Sequence, residues 1–258
     1  MREVIKPELK KCLRELRLPQ FAANHSAQSA LAANEGWSYD RYLLALCEME
    51  LNQRRVRRIE RLLQCSKLPR EKTLTEFDRK RLKRGADSQL EALIEGDFLD
   101  RRENVLVFGN PGSGKTHLLA ALGHELVKKG RSIYFTTCVM MVQRLLRAKA
   151  QLSLERELKK MDRYEGMIID DLGYVQQNRE EMEVLFTLLA HRYEQRSVLL
   201  SSNLAFSQWE KIFKDPMTTA AAIDRLVHHS VIIEMNLPSY RMEAAQKKKG
   251  MAQKGEKQ

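Results

Sequence analysis

The 258 residues carry 45 Lys and Arg against 34 Asp and Glu, a net charge of +11, with 43% apolar residues. A chain of this length and balance buries a sizeable core, as one large domain or a medium domain with a smaller one attached, and its positive excess implicates a polyanion. No stretch approaches the ~18–20 consecutive apolar residues of a membrane span. The start, Met1 to Pro7, lacks the apolar heart of a secretory signal, and Cys12, Cys47, Cys65 and Cys138 form no C-x-x-C pair; membrane, disulfide-framework and cysteine-zinc classes are thereby disfavoured.

The charge is unevenly placed. Residues 52–84 hold thirteen Lys and Arg against four acids, a net of +9, and residues 241–258 hold six against two, a net of +4, so the rest of the chain sums to −2. Clustering of this kind is the footprint of a nucleic-acid contact. From Glu8 to about Ser66 the pattern is helical, interrupted at Pro19 and at Gly36-Trp37-Ser38. Ser38 suits the N-cap of a long helix to about Gln64, along which Tyr42, Leu46, Met49, Val56, Ile59 and Leu63 recur at three-and-four spacing around the polar Gln53. Away from that stripe Arg54, Arg58 and Arg61 stack at i, i+4 and i+7, with Arg55 and Arg57 beside them. Like charges at this spacing cost a helix about 0.2–0.5 kcal/mol per pair unless an anion offsets them. The helix is expected to continue, past a linker-like Lys67 to Thr73, into a second basic run, Arg79-Lys80-Arg81-Leu82-Lys83-Arg84, and both runs to meet a phosphate backbone.

From Asn104 onward short apolar strands alternate with helices, the signature of a parallel sheet with crossover helices. Strands are expected at 104–108, 132–136, 166–170, 197–201 and 230–234, and helices near 115–129, 139–149, 153–162, 179–195 and 216–229. The predicted organisation is a helical DNA-binding domain at 1–70, a basic linker and lead-in at 71–103, an α/β core with a five-stranded parallel sheet at 104–238 and a basic tail at 239–258 expected to be disordered.

Between the apolar run Val105 to Phe108 and a helix starting near His117 lies Gly109-Asn110-Pro111-Gly112-Ser113-Gly114-Lys115-Thr116, a complete phosphate loop. The glycines let successive N–H groups face a polyphosphate, Lys115 reaches the β and γ phosphates, and Thr116 ligates Mg²⁺. Met167-Ile168-Ile169-Asp170-Asp171 is an apolar strand ending in two carboxylates. Such strand ends are where open α/β sheets bind ligands. Asp170 is expected to hold Mg²⁺ opposite Thr116, and Asp171 to polarise the attacking water. Asn203, after the strand Ser197 to Ser202, is placed to orient that water or touch the γ-phosphate. Arg144 and Arg147 share a helix that could also face DNA. His228 and His229 end a helix and read as favouring its negative terminus, with no third metal ligand at suitable spacing.

Together these motifs resemble the AAA+ ATPases, and within them the branch of DnaC-kind helicase loaders and IstB-type helper ATPases of insertion-sequence transposition. The resemblance covers most of the chain: Leu16 to Ala22 ("LRLPQFA") with the Arg-rich helix, Asp97-Phe98-Leu99, Arg102 to Leu106, the loop with His117-Leu118, Gly123-His124, Ile168 to Tyr174, Ser201-Ser202-Asn203 and Ala222 to His229. It implies a nucleotide site of residues 109–117, Lys115, Asp171 and Asn203 as catalytic groups, Asn203 being the first sensor. It also implies Arg225 as an arginine finger that enters a neighbouring subunit's site, and hence an oligomer. Two departures stand out. Asp171 occupies a place where many members carry Glu, and the C-terminal lid is missing or reduced to Pro238-Ser239-Tyr240-Arg241.

The expected function is an ATP-dependent helper that oligomerises on double-stranded DNA with little sequence preference and recruits or activates a transposase. Its expected location is cytoplasmic and nucleoid-associated. A helicase loader is the alternative; aromatic stacking platforms would favour it, but the aromatics near the basic helix, Trp37, Tyr39 and Tyr42, read as core. A small-molecule kinase is a third reading, monomeric and indifferent to DNA.

Overall fold

The computed structural model describes residues 2–82, 84–173, 178–209, 216–235 and 239–240. The chain divides into two compact units, residues 1–61 and 62–258. Tyr174, Arg241 and the tail beyond it lie outside the described residues.

Three helices make up the N-terminal region: α1 (Arg2–Glu15), α2 (Pro19–Glu35) and α3 (Tyr39–Ser66). Proline at the first position starts α2, and Gly36, at φ 64°, ends it with its N–H on the Ala32 carbonyl. The Ser38 hydroxyl accepts from the Arg41 N–H at 3.2 Å, the expected cap of α3. Polar contacts tie α2 to α3. The buried Glu50 carboxylate accepts from the Gln20 N–H at 2.9 Å and pairs with Arg54, whose other end donates to the Arg17 carbonyl at 2.7 Å. Tyr42 donates to the His25 carbonyl.

The apolar stripe of α3 is buried only in its first half. Leu46 is enclosed, whereas Val56 and Leu63 are 48% and 44% exposed. A 28-residue helix spans about 42 Å at 1.5 Å per residue, and the 17-residue α2 is about 16 Å shorter. The second basic run does not extend α3. Lys67 turns left-handed at φ 59°, Pro69 follows, and Arg79–Arg81 form only a short 3₁₀ turn. That turn is followed by a helix the sequence reading did not foresee, α4 (Arg84–Glu95), and by α5 (Asp97–Asp100). Leu90 and Leu93 of α4 are buried, and its Asp87 and Glu91 hold Arg79.

The core elements are β1 (Asn104–Gly109), α6 (Lys115–Lys128), β2 (Ile133–Thr137), α7 (Cys138–Ala150), α8 (Leu154–Met161), β3 (Gly166–Leu172), α9 (Arg179–Arg192), β4 (Ser197–Ser202), α10 (Pro216–Val227) and β5 (Ser230–Met235). They follow the expected strands and helices within a few residues. The five strands are all parallel, in the order β2-β3-β4-β1-β5. Val105, Leu106, Val107, Met167, Ile168, Ile169, Leu199 and Leu200 are essentially inaccessible, as continuous apolar strands covered on both faces must be. Because β1 lies between β4 and β5, its carboxyl end opens next to that of β4, with β3 one strand further.

The opposite end of the sheet is fastened by polar side chains. Asn104 accepts from the Val198 N–H at 2.9 Å and donates to the Leu226 carbonyl at 3.1 Å, joining β1, β4 and α10. Arg192, fully buried at the end of α9, donates to the carbonyls of Met161, Tyr164, Glu165 and Ser197. Dehydration pulls its guanidinium down to about 10. Arg192→Met keeps the aliphatic stem but strips four buried carbonyls of their donor. An unmade buried hydrogen bond costs about 1–3 kcal/mol, so the variant should lose roughly 3 kcal/mol in urea unfolding. A loss below about 0.5 kcal/mol would show that the carbonyls are satisfied otherwise.

Candidate nucleotide site

The loop between β1 and α6 is shaped by two glycines. Gly109 lies so close to β5 that a Cβ there would sit 2.3 Å from the Met235 carbonyl oxygen, and Gly112 adopts φ 80°, a left-handed conformation costly to other residues. Gly114, also left-handed, begins α6 without any side-chain cap, the kind of helix start at which anions bind. The buried Lys115 ammonium donates to the carbonyls of Gly109 at 2.8 Å and Asn110 at 3.0 Å, which holds it along the loop.

Facing the loop are the ends of β3 and β4. Asp170 is buried at 3% exposure, and desolvation drives its carboxyl upward from the ordinary value. The Ser201 hydroxyl donates to Asp170 at 2.5 Å and Thr116 also bonds to it, both opposing that rise. Ser201 in turn accepts from the Asp171 N–H at 2.8 Å. One serine therefore fixes both acids. At φ 60°, Asp171 is left-handed where the β3–β4 register slips, and this local turn carries its side chain into the cleft.

Pro111 to His117, Asp171 and Asn203 together line a cavity of ≈ 280 Å³. Gly109 and Asn110 contribute backbone behind the loop. Buried oxygens of Ser113 and Asn203 lack a hydrogen-bond partner. Such orphaned atoms beside the start of α6 suit a bound polyanion with its ordered water. Thr116 and Asp170 present hard oxygen donors side by side, the donor set for Mg²⁺ rather than for a soft metal.

One wall was not foreseen. Lys72, Glu76, Phe77, Asp78, Met235 and Tyr240 complete the cavity, and the segment around residues 68–77, read as linker, packs on α6. His117 bonds the Thr73 carbonyl at 2.9 Å, His124 the Pro69 carbonyl at 3.0 Å, and Phe77 meets the His117 ring edge-on at 5.3 Å. Leu68 presses on Gly123, where a Cβ would meet it at 2.8 Å. Tyr240 donates its N–H to the Gly112 carbonyl, so the stub at the expected lid position touches the loop. The signal available in the sequence was the lone aromatic Phe77 amid charges.

The remaining predicted residues lie elsewhere. Arg225, in the last turn of α10, stands over the Phe186 ring at 4.9 Å and donates to the Ala221 carbonyl. It borders a recess with Arg101, Arg102 and His229 at the sheet end away from the phosphate loop. Arg55, Arg57, Arg58 and Arg61 are exposed on α3, and Arg147 is exposed on α7. Arg54 is tied to Glu50 as described, and Arg144 is paired with Glu157 at 2.6 Å and bonded to the Tyr134 hydroxyl. Among the described residues no helix is long and apolar enough to cross a membrane.

A parallel sheet of this order, with a glycine cradle after β1 and paired acids at the end of β3, defines a P-loop nucleotide-binding protein of the AAA+ kind. The chain belongs to the family of IstB-like ATP binding proteins, whose profile matches residues 11–249. It is 42% identical to an insertion-sequence ATP-binding protein of Sinorhizobium fredii, over 92% of this chain and 80% of that one. It is 34% identical to the IS21 ATP-binding protein of Pseudomonas aeruginosa, over 93% and 91%. The fold is shared with the crystal structure of DnaI (TM-score 0.55, 21% identity, 66% of this chain and 96% of that one) and with AMPPCP-bound DnaA from Aquifex aeolicus (0.55, 19%, 67% and 52%).

Burial of Asp170 predicts a conflict between stability and function. Its raised folded value means that the ionised form is penalised in the folded protein, so stability is full below the ordinary carboxylate value and falls as pH rises through the raised one. Asp170→Asn should increase the urea midpoint of the nucleotide-free protein at pH 8 and flatten this slope. The gain should vanish at acid pH. A variant less stable than the parent at pH 8 would contradict the assignment.

Proposed function

We propose that this protein is an ATP-hydrolysing helper of transposition that assembles with copies of itself on duplex DNA and recruits or activates a transposase, with hydrolysis timing its release. Its kinship with insertion-sequence ATP-binding proteins supports the setting. The observation that carries the reading is the gathering of Thr116, Asp170, Asp171 and Asn203 around the phosphate loop, while Arg225 lies outside that cleft.

In this reading the loop N–H groups and Lys115 bind the β and γ phosphates, and Thr116 and Asp170 hold Mg²⁺. The ion supplies charge neutralisation between the phosphates. Asp171 accepts a proton from, or orients, the attacking water, and Asn203 fixes its position next to the γ-phosphate. An aspartate reaches one methylene less far than a glutamate, which predicts slow turnover. Arg225, unable to serve its own cleft from the other end of the sheet, is assigned to a neighbour's. Such an arginine is worth roughly 10³–10⁵ in rate. ATP held between two subunits favours the assembled form by mass action.

Arg55, Arg57, Arg58 and Arg61, with Arg147 of the core, are the proposed phosphate contacts. Arg54 and Arg144 already neutralise internal carboxylates and contribute less. Contacts of this kind read no sequence, and affinity should fall steeply with salt. Arg57→Ala combined with Arg61→Ala should flatten the log-log salt slope by about 2; an unchanged slope would remove α3 from the interface.

The test of the assembly is a mixing experiment on DNA-stimulated hydrolysis. Arg225→Ala and Lys115→Ala should each be inactive alone. In an equimolar mixture half of the sites retain an intact loop and half of those face an intact finger, so activity should return to about a quarter of the parent rate in a head-to-tail assembly. Full activity of Arg225→Ala alone, or a mixture as dead as its parts, would overturn the arrangement.

A further inference from the structure

We propose that Glu194, His228 and His229 form a binding site for a borderline divalent cation of the zinc class, at the end of the sheet opposite the nucleotide cleft. This inference is independent of the function proposed above. One carboxylate oxygen and one ring nitrogen from each histidine lie within 4.8 Å of one another. Metal bonds of about 2.0–2.2 Å at tetrahedral angles set such atoms roughly 3.4 Å apart, so the site needs a closure of at most about 1.4 Å. All three side chains are exposed and can rotate to supply it.

Their backbones, by contrast, are pinned. Arg102 donates to the Glu194 carbonyl at 2.8 Å, and Glu194 is held left-handed at φ 58° where α9 gives way to β4. The His229 carbonyl accepts from the Asn104 N–H at 2.7 Å, and the His228 N–H closes the last turn of α10 on Asp224. That turn places two consecutive imidazoles on one side of the chain, with ring centres 4.1 Å apart.

The second layer also fits. The Tyr193 hydroxyl lies 3.2 Å from Nδ1 of His228, which leaves Nε2 to ligate and orients the ring. Arg101, Arg102 and Arg225 border the same recess, but each guanidinium is engaged: with Glu103, with the Glu194 carbonyl, and with Phe186 and the Ala221 carbonyl respectively. Their charge leaves the open fourth position to water or an anion. The sequence reading found no third ligand because Glu194 stands far from the histidines along the chain and is brought to them by the fold.

Imidazole nitrogen selects a borderline ion and leaves Mg²⁺ uncompetitive, so the experiment can be run with Mg²⁺ present. Co²⁺ is titrated into the full-length protein and its visible absorption followed, with Zn²⁺ used to displace it. The expected result is one ion per chain with bands of nitrogen and oxygen ligation and no thiolate charge-transfer band. Affinity should drop at least about tenfold in His228→Ala and in His229→Ala. Glu194→Gln, which preserves shape, is the second variant and should weaken binding with nucleotide binding intact. Unchanged Co²⁺ affinity in the double variant His228→Ala with His229→Ala, or a spectrum dominated by thiolate, would overturn the proposal.

Discussion

The nucleotide cleft is organised around a carboxylate that the fold dehydrates. Asp170 ends an apolar strand at 3% exposure, and the hydroxyls of Ser201 and Thr116 only partly replace lost water. An ionised group in that position destabilises the folded chain unless a cation joins it. The rest of the cleft follows from that demand. Strand order brings the glycine loop to the same edge, α6 begins there without a cap, and buried oxygens of Ser113 and Asn203 wait without partners. In the proposed reading a nucleotide with its metal would satisfy all of these at once.

Electrostatics divide the basic residues in a way that composition hides. Arg54, Arg79, Arg131 and Arg144 are held by Glu50, Asp87 and Glu91, Asp100 and Glu165, and Glu157, so they stabilise the fold and add little to an outward field. Arg55, Arg57 and Arg61 lie exposed on a helix where mutual repulsion is unfavourable without an anion. A net charge of +11 therefore overstates the outward-facing positive charge, which the exposed part of α3 measures better.

Much of this was legible in the sequence because it rests on local rules. The glycine loop needs specific residues at fixed spacing, and strands buried on both faces must be apolar throughout, so the sheet and the two acids could be placed from residues alone. Ser38 as a cap and Pro19 as a break between helices are equally local. What stayed hidden depends on distant partners. Ser201 is an ordinary polar residue until β4 lies beside β3. Residues 68–77 look like linker because their value lies in carbonyls offered to His117 and His124. The helical periodicity of α4 was obscured by the cationic run before it, and the expected continuation of α3 into that run fails because a single left-handed Lys67 ends the helix.

The central claim is that the buried charge of Asp170 is tolerated for the sake of a metal-bound nucleotide. Its most direct test is the titration of the Asp170 side-chain carboxyl, followed by carbon NMR on aspartate-labelled protein with Asp170→Asn to assign the resonance. Without nucleotide the midpoint should lie above that of an ordinary aspartate, and with Mg²⁺ and a non-hydrolysable ATP analogue it should fall below it. A midpoint that does not move on adding nucleotide and metal would contradict the account.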